Sequence, residues 1–422
     1  MSIVILPYRW FSGMRILALI FGSILACYGS AGILSDTIWH NSEPADRVLC
    51  RVQLCTNSLL VASGRQFLDL GGDDTPKAIA AFRTVVIREP QDAYAWADLG
   101  EAYFEAGQKE NARYCYRRVL ALAPHAAPLL LRVANFHFGI GENQEALPIT
   151  AKILSLVPDY DGVVFSEYVR LAEHVDEVLS CGLPPSGRAA KSWLRFLMNA
   201  GHLDDARRSW QWTAERGYAE DVLAGEYTDF LLRQGNPEGA ASAWSKYLGR
   251  RAGDYGKSNC LFNGSFESEP VPAPFDWNLA RTEGVEVARD FSTSCSGRCS
   301  LRLSFDGTQN LAFTAASQLA VVQPGRYHFR AYVRTENLTT DQGIRFRVSD
   351  AEAPGRLDVT FGQFTGNNPW TGLEHDIVVP PATRILRVQV IREASTKFDN
   401  KIGGTAWIDD LRFEPNPHLN SS

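Results

Sequence analysis

The chain has 422 residues, 45% hydrophobic and 21% charged, which excludes a disordered polypeptide and leaves room for two or three domains. The formal net charge of −6 is not gathered into one block. That argues against a nucleic-acid partner, which calls for a clear basic excess.

The first predicted element is the uncharged run "ILALIFGSILACYGSAGIL", residues 16–34, preceded by Arg9 and Arg15. As a helix rising about 1.5 Å per residue it comes close to spanning a bilayer core. It is longer than the apolar stretch of a secretory signal, roughly 7–15 residues. The expectation is an uncleaved signal anchor. Residues 1–15 would be cytoplasmic, residues 16–34 would cross a bacterial inner membrane once, and the remainder would stand in the periplasm. Two alternatives stay open: cleavage among the small residues Ser30 to Gly32, and lipidation at Cys27, where "ILAC" resembles a bacterial lipoprotein box.

Residues 35–58 read as a linker. In an oxidising compartment two cysteine pairs are candidate disulfides, Cys50 with Cys55 and Cys295 with Cys299. Buried thiols are the alternative, and the reading taken for Cys115 on its predicted helix. Neither pair has the spacing of a zinc site.

Residues 59–254 carry a repeat. Pro90, Pro124 and Pro158 are 34 residues apart, and "GxxxxA" recurs at Gly107, Gly141, Gly201 and Gly235. The glycine suits a sharp turn between two helices, and the alanine allows the helices to approach. The phase breaks between Gly141 and Gly201, where "GVVFSEYVRLAEHVDEVLSCGLPPSG" reads as one helix and a proline-rich turn. Trp96, Leu99, Gly100, Tyr103, Ala112, Tyr116 and Pro124 stand at the spacing of a tetratricopeptide repeat, with Ala78, Phe82 and Pro90 at matching places one unit earlier. The segment therefore resembles that family, which implies five helical hairpins and one irregular unit stacked as a solenoid. Trp96, Tyr103 and Tyr116 are then packing residues. The resemblance also implies a partner-binding inner surface, onto which position places Tyr94, Glu101, Asn135, Arg195 and Asp229.

From Cys260 the period becomes two. "CSLRLSF", "GRYHFRAYVRT", "GIRFRVSD", "LEHDIVVP", "RILRVQVI" and "GTAWIDDLRF" alternate between turn residues, which predicts a β-sandwich over residues 260–415 and a short tail, residues 416–422. "NGSFE" followed by a tryptophan, "PGRYHFRAYVRT" and the closing "GTAWIDDLRF" resemble the carbohydrate-binding jelly rolls first described in cellulases. The resemblance implies that "NGSFESEPVPAPFDW" begins as the first strand, with its prolines in the following loop. It also implies a structural calcium held by Glu267 and Asp410, and no other cofactor.

Sugar sites combine aromatic faces with polar side chains. On "GRYHFRAYVRT" the even positions, Arg330 and Tyr332 among them, point away from the core, and Arg345 and Arg347 do so on the following strand. Together they allow an arginine cluster beside Tyr332, the alternative being a solvated face balanced by aspartate and glutamate. Trp370 and Phe364, in the loop-like "FGQFTGNNPWTG", form a second candidate platform. No known catalytic motif is present, and Asp409 and Asp410, being adjacent on a strand, face opposite ways and make a poor glycosidase pair. The fold class expected is thus an all-α repeat solenoid followed by an all-β jelly roll, behind a transmembrane helix. The function expected is a non-catalytic, membrane-anchored envelope protein whose solenoid binds a protein partner and whose jelly roll binds a glycan in exopolysaccharide export or assembly. A structural adaptor without sugar binding and a glycan-processing enzyme are the alternatives.

Overall fold

The computed structural model describes residues 56–171 and 175–416. The expected anchor, Cys27, the Cys50–Cys55 pair and the tail after Asn416 lie outside these residues. No helix among the described residues is long and apolar enough to cross a membrane.

The chain divides into two compact units at Ala189/Ala190, inside a helix. The first holds α1 (Asn57–Leu70), α2 (Thr75–Arg88), α3 (Ala93–Glu105), α4 (Lys109–Leu122), α5 (Ala127–Gly139), α6 (Asn143–Leu156) and α7 (Asp161–Leu171). Local chemistry fixes their starts. Thr56 and Asp92 accept first-turn N–H groups of α1 and α3, while Pro76 and Pro128 occupy first-turn positions of α2 and α5. The "GxxxxA" reading holds in both units. Gly107, Gly141, Gly201 and Gly235 all have φ between 70° and 81°, and Ala112, Ala146, Ala206 and Ala240 are each 0% exposed.

The irregular unit carries more helix than the sequence suggests. After α7 the chain resumes as Val175–Glu177 and then a π-turn, Val178–Gly182. The buried Tyr168 hydroxyl donates to the Gly182 carbonyl at 2.7 Å, satisfying a group that the wide turn frees from helical bonding.

The second unit contains most of α8 (Gly187–Ala200), then α9 (Leu203–Glu215), α10 (Asp221–Arg233), α11 (Pro237–Leu248) and ten strands. The strands are β1 (Asn278–Leu279), β2 (Val285–Asp290), β3 (Ser300–Asp306), β4 (Phe313–Val321), β5 (Gly325–Leu338), β6 (Ile344–Asp350), β7 (Asp358–Phe364), β8 (Gly366–Val379), β9 (Ile385–Arg392) and β10 (Gly403–Pro415). They form two five-stranded antiparallel sheets, ordered β1-β4-β9-β6-β7 and β2-β3-β10-β5-β8. Alternate residues meet between the sheets around Phe329, Phe346 and Phe361, whose rings lie 5.0–6.3 Å apart.

"NGSFESEPVPAPFDW" is not a strand. Asn263 and Phe266 have left-handed φ angles of 55° and 54°, which breaks extended pairing. The stretch is instead a strap along β10. β3 pairs with β10 only as far as Ile408, and β10 bulges between Asp409 and Arg412. Beyond the bulge the strap takes over: Cys260 N–H donates to Phe413 O at 2.9 Å, and Leu411 N–H to Gly264 O at 3.0 Å. The strap also ties the last helices to the sandwich. Gln318 on β4 bonds both the N–H and the C=O of Phe262 at 2.9 Å, and the Phe262 ring meets Trp244 of α11 edge-on at 6.0 Å. A Cβ added at Gly225 of α10 would lie 2.5 Å from Pro272 O, so helix and strap touch backbone to backbone.

Within the strap Asp276 is buried and accepts the N–H groups of Val271 and Trp277. Burial pushes its carboxyl up to about 6, from 3.8. Between those values the folded chain binds more protons than the unfolded one, so this group lowers stability as pH rises, by on the order of 3 kcal/mol at most above pH 6. Urea midpoints of the wild type should fall relative to those of Asp276→Asn as pH goes from 4.5 to 7. A constant difference between the two would contradict this.

Candidate functional site

The outward face of the β2-β3-β10-β5-β8 sheet carries the candidate site. Alternation on β5 sends Tyr327, Phe329, Ala331 and Val333 into the core and leaves His328, Arg330, Tyr332 and Arg334 half-buried outside. The register then fixes their neighbours: Arg334 opposite Trp407 of β10, Tyr332 between Asp409 and Gly372 of β8, and Arg330 opposite Glu374. Arg302 of β3 stands on the far side of Trp407. The indole donates to Asp290 at 2.7 Å, and the Arg334 guanidinium lies 5.2 Å above its ring. Hydrogen bonds from Ser292 and Trp407 outweigh the burial of Asp290 and hold its carboxyl below the usual range. Asp409 accepts the N–H groups of Cys295 and Ser296 at 2.8 Å, yet burial still raises its pKa.

Three arginines on this face already have an acid: Arg302 with Glu286, Arg330 with Asp410, and Arg334 with Glu336. His328 lies 2.8 Å from Asp376. Chemically this is a mixed aromatic and charged surface that can stack a ring and exchange hydrogen bonds. It is not a converging set of groups poised to break a bond.

Several expected site residues move. β6 does not neighbour β5 but lies in the other sheet, so Arg345 and Arg347 stand on the opposite outer face from Tyr332 and Arg330. There Arg345 pairs with Glu393 at 2.7 Å and Arg347 with Asp358 at 2.6 Å. Phe364 ends β7 inside the core, 8% exposed, and offers no platform. Trp370 is in a strand rather than a loop. Val333 pairs with Thr371 and Thr335 with Asn368, so Pro369 and Trp370 oppose the single residue Arg334 in a bulge of the edge strand, and Trp370 stays half-buried next to the site.

Cys295 and Cys299 form no disulfide. Cys299 points into the core while Cys295 is exposed on the loop, so the thiols face apart. Glu267 and Asp410 do not make a fitting calcium pair. Glu267 accepts the N–H groups of Arg298 and Cys299 at 2.6 and 3.0 Å, while the two Asp410 oxygens each accept from a guanidinium, of Arg330 and Arg412, at 2.8 Å. A divalent cation would have to displace two positive charges. The sandwich ends are held instead by carboxylate-to-amide bonds from Glu267 and Asp409 to one loop.

Of the expected groove residues, Tyr94 and Asn135 are exposed on α3 and α5, and Glu101 pairs with Arg132 at 2.5 Å. Position alone missed the centre of this surface. Asp98, nearly buried, receives Arg65 from α1 at 3.1 Å and Arg132 from α5 at 2.8 Å, an ion-pair ladder across three first helices. Its signal was available: Arg65, Asp98 and Arg132 stand about one repeat apart. In the second unit Arg195 pairs with Glu226 at 2.7 Å, and Asp229 lines a cleft facing the strap. Trp407 was missed too, although alternation between Ala406 and Ile408 already turns it outward.

Residues 67–152 match the tetratricopeptide repeat model. The chain is also similar to Superkiller protein 3 of Schizosaccharomyces pombe, at 30% identity over 109 residues, which span 25% of this chain and 8% of that protein. Among solved structures it is similar to TmCBM61 in complex with β-1,4-galactotriose, at 18% identity over 37% of this chain and 99% of that one, with a TM-score of 0.28. A further likeness is to the CBM22-1 xylan-binding domain of Xyn10C from Paenibacillus barcinonensis, at 15% identity over 36% of this chain and 91% of that one, with a TM-score of 0.25.

Proposed function

We propose, starting from the tetratricopeptide repeats at residues 67–152, that this protein works by contact and not by turnover: its helical hairpins hold a protein partner and its sandwich holds a glycan. The observation that carries the glycan half is the outward sheet face on which Tyr332 and Trp370, with Trp407 buried beneath Arg334, are interleaved with Arg302, Arg330 and Arg334. Rings stack on the C–H faces of sugars, and guanidinium groups suit carboxylates, so an acidic polysaccharide is the preferred ligand class. For the partner half, the Arg65–Asp98–Arg132 ladder makes a rigid, charged floor beside the exposed Tyr94. The uncharged run 16–34 behind Arg9 and Arg15 supports an inner-membrane anchor with both folded parts in the periplasm. A role in exopolysaccharide export or assembly follows from that placement. The adaptor reading retains one observation in its favour, since Arg302, Arg330 and Arg334 are already paired with acids.

Tyr332→Ala in the full chain should weaken retention on an acidic polysaccharide at least tenfold, while Arg347→Ala, on the opposite sheet, leaves it unchanged. Equal retention by both variants and the wild type would sink the glycan assignment.

A further inference from the structure

We propose that a cleft between α11 and the sandwich edge binds a small sugar acid, a hydroxylated carboxylate of hexuronate size. The cleft lies apart from the sheet face described above. It encloses ≈ 630 Å³, within the range of roughly 300–1,000 Å³ usual for small-molecule sites. Its walls are one face of α11, the turn after it and the β4–β5 turn.

The floor is built of donors. Asn259 is 5% exposed, and its Oδ1 accepts the N–H groups of Leu261 and Phe413, at 3.0 and 3.1 Å. Those two bonds fix the amide orientation and leave Nδ2, in the cleft lining, with no acceptor among the described residues. Tyr327 is equally buried; its hydroxyl oxygen accepts the Gln323 N–H at 2.9 Å, so its own proton remains to be donated. Lys246 and Lys257 stand at the mouth, and neither has a carboxylate partner among the described residues. Of the acids around the cleft, Glu238 pairs with Arg384, while Asp254 and Glu414 share Arg412. Unspent N–H and O–H donors beneath two ammonium groups that have no carboxylate partner among the described residues complement an anion. Inorganic phosphate would leave most of this volume empty. The hydroxyls of Ser242 and Ser245 and the Gln323 amide both give and accept hydrogen bonds, which suits the hydroxyl groups of a sugar.

The test is calorimetric titration of the full chain in detergent with glucuronate and galacturonate, against glucose, galactose and inorganic phosphate. At least one uronate should bind, with its neutral counterpart and phosphate at least tenfold weaker. The double variant Lys246→Gln/Lys257→Gln should lose tenfold or more, and Tyr327→Phe, which removes only the hydroxyl, should weaken binding with the fold retained. Lys397→Gln and Arg347→Ala should bind as the wild type does. No heat from either uronate at millimolar concentration, phosphate binding as tightly as the uronate, or unchanged binding in the lysine double variant would each overturn the proposal. Loss of uronate binding in Tyr332→Ala would assign the ligand to the sheet face and overturn it too.

Discussion

Replacing Trp244 by alanine is expected to destabilise the 190–416 unit by about 3–5 kcal/mol, the usual cost of emptying a buried aromatic site. Trp244 is 0% exposed, and its indole N–H has no partner among the described residues, so its contribution is packing. The loss should not stay in α11. Its ring meets Phe262, whose backbone is gripped from both sides by Gln318 of β4, and Glu238 at the start of α11 pairs with Arg384 beside β9. Unfolding of the full chain by urea, followed by hydrogen exchange of β4 and of α11, should show both elements moving to the same lower midpoint. A shift in α11 alone would mean that the hairpin unfolds independently of the sandwich. It follows that a chain starting at residue 258 lacks part of the packing of its own strap, and that any shortened form should begin before α8.

Gly264→Ala is the second large effect expected. Here the requirement is close approach: a Cβ at this position falls on the Leu411 carbonyl oxygen, a backbone atom that cannot rotate away. Either the strap lifts from β10 or β10 loses its bulge. Overpacking costs typically 1–3 kcal/mol and more where backbone must shift, so about 3 kcal/mol is expected. The readout is the thermal midpoint of the β-sheet signal, with Gly355→Ala, in open space within the β6–β7 connection, as the comparison. Equal midpoints for the two variants would show that the strap yields at no cost.

The helical half was legible because its signals are periodic and local. Glycine at the turn and alanine at the helix contact repeat at a fixed interval, and both obey a steric rule that holds whatever the neighbours are. The π-turn was hidden because its cause, the Tyr168 hydroxyl reaching Gly182, joins two positions across the phase break. In the sandwich, alternation on β5 assigned core and surface correctly, since period two follows from strand geometry alone. It does not say which strands are neighbours. β5 and β6 follow one another in sequence, yet they enter different sheets, and that crossing separated Arg345 and Arg347 from Tyr332. Phe364 and Trp370 were misjudged for a related reason. Glycine and asparagine suggested a loop, whereas the chain makes an edge strand with bulges, which tolerates both residues. The strap defeated strand prediction because its backbone enters the left-handed region at Asn263 and Phe266; asparagine is a residue type that adopts it, but phenylalanine gives no such sign.

The most direct measurement is hydrogen exchange of the full chain with and without a saturating acidic polysaccharide. Contact through the outward face of β10, β5 and β8 should slow exchange around Arg330–Arg334, Trp370–Gly372 and Trp407, and leave β6 and β7 around Arg345 and Arg347 as they were. Protection confined to β6, β7 and β9, or none anywhere in the sandwich at saturation, would contradict a glycan-binding role for this face.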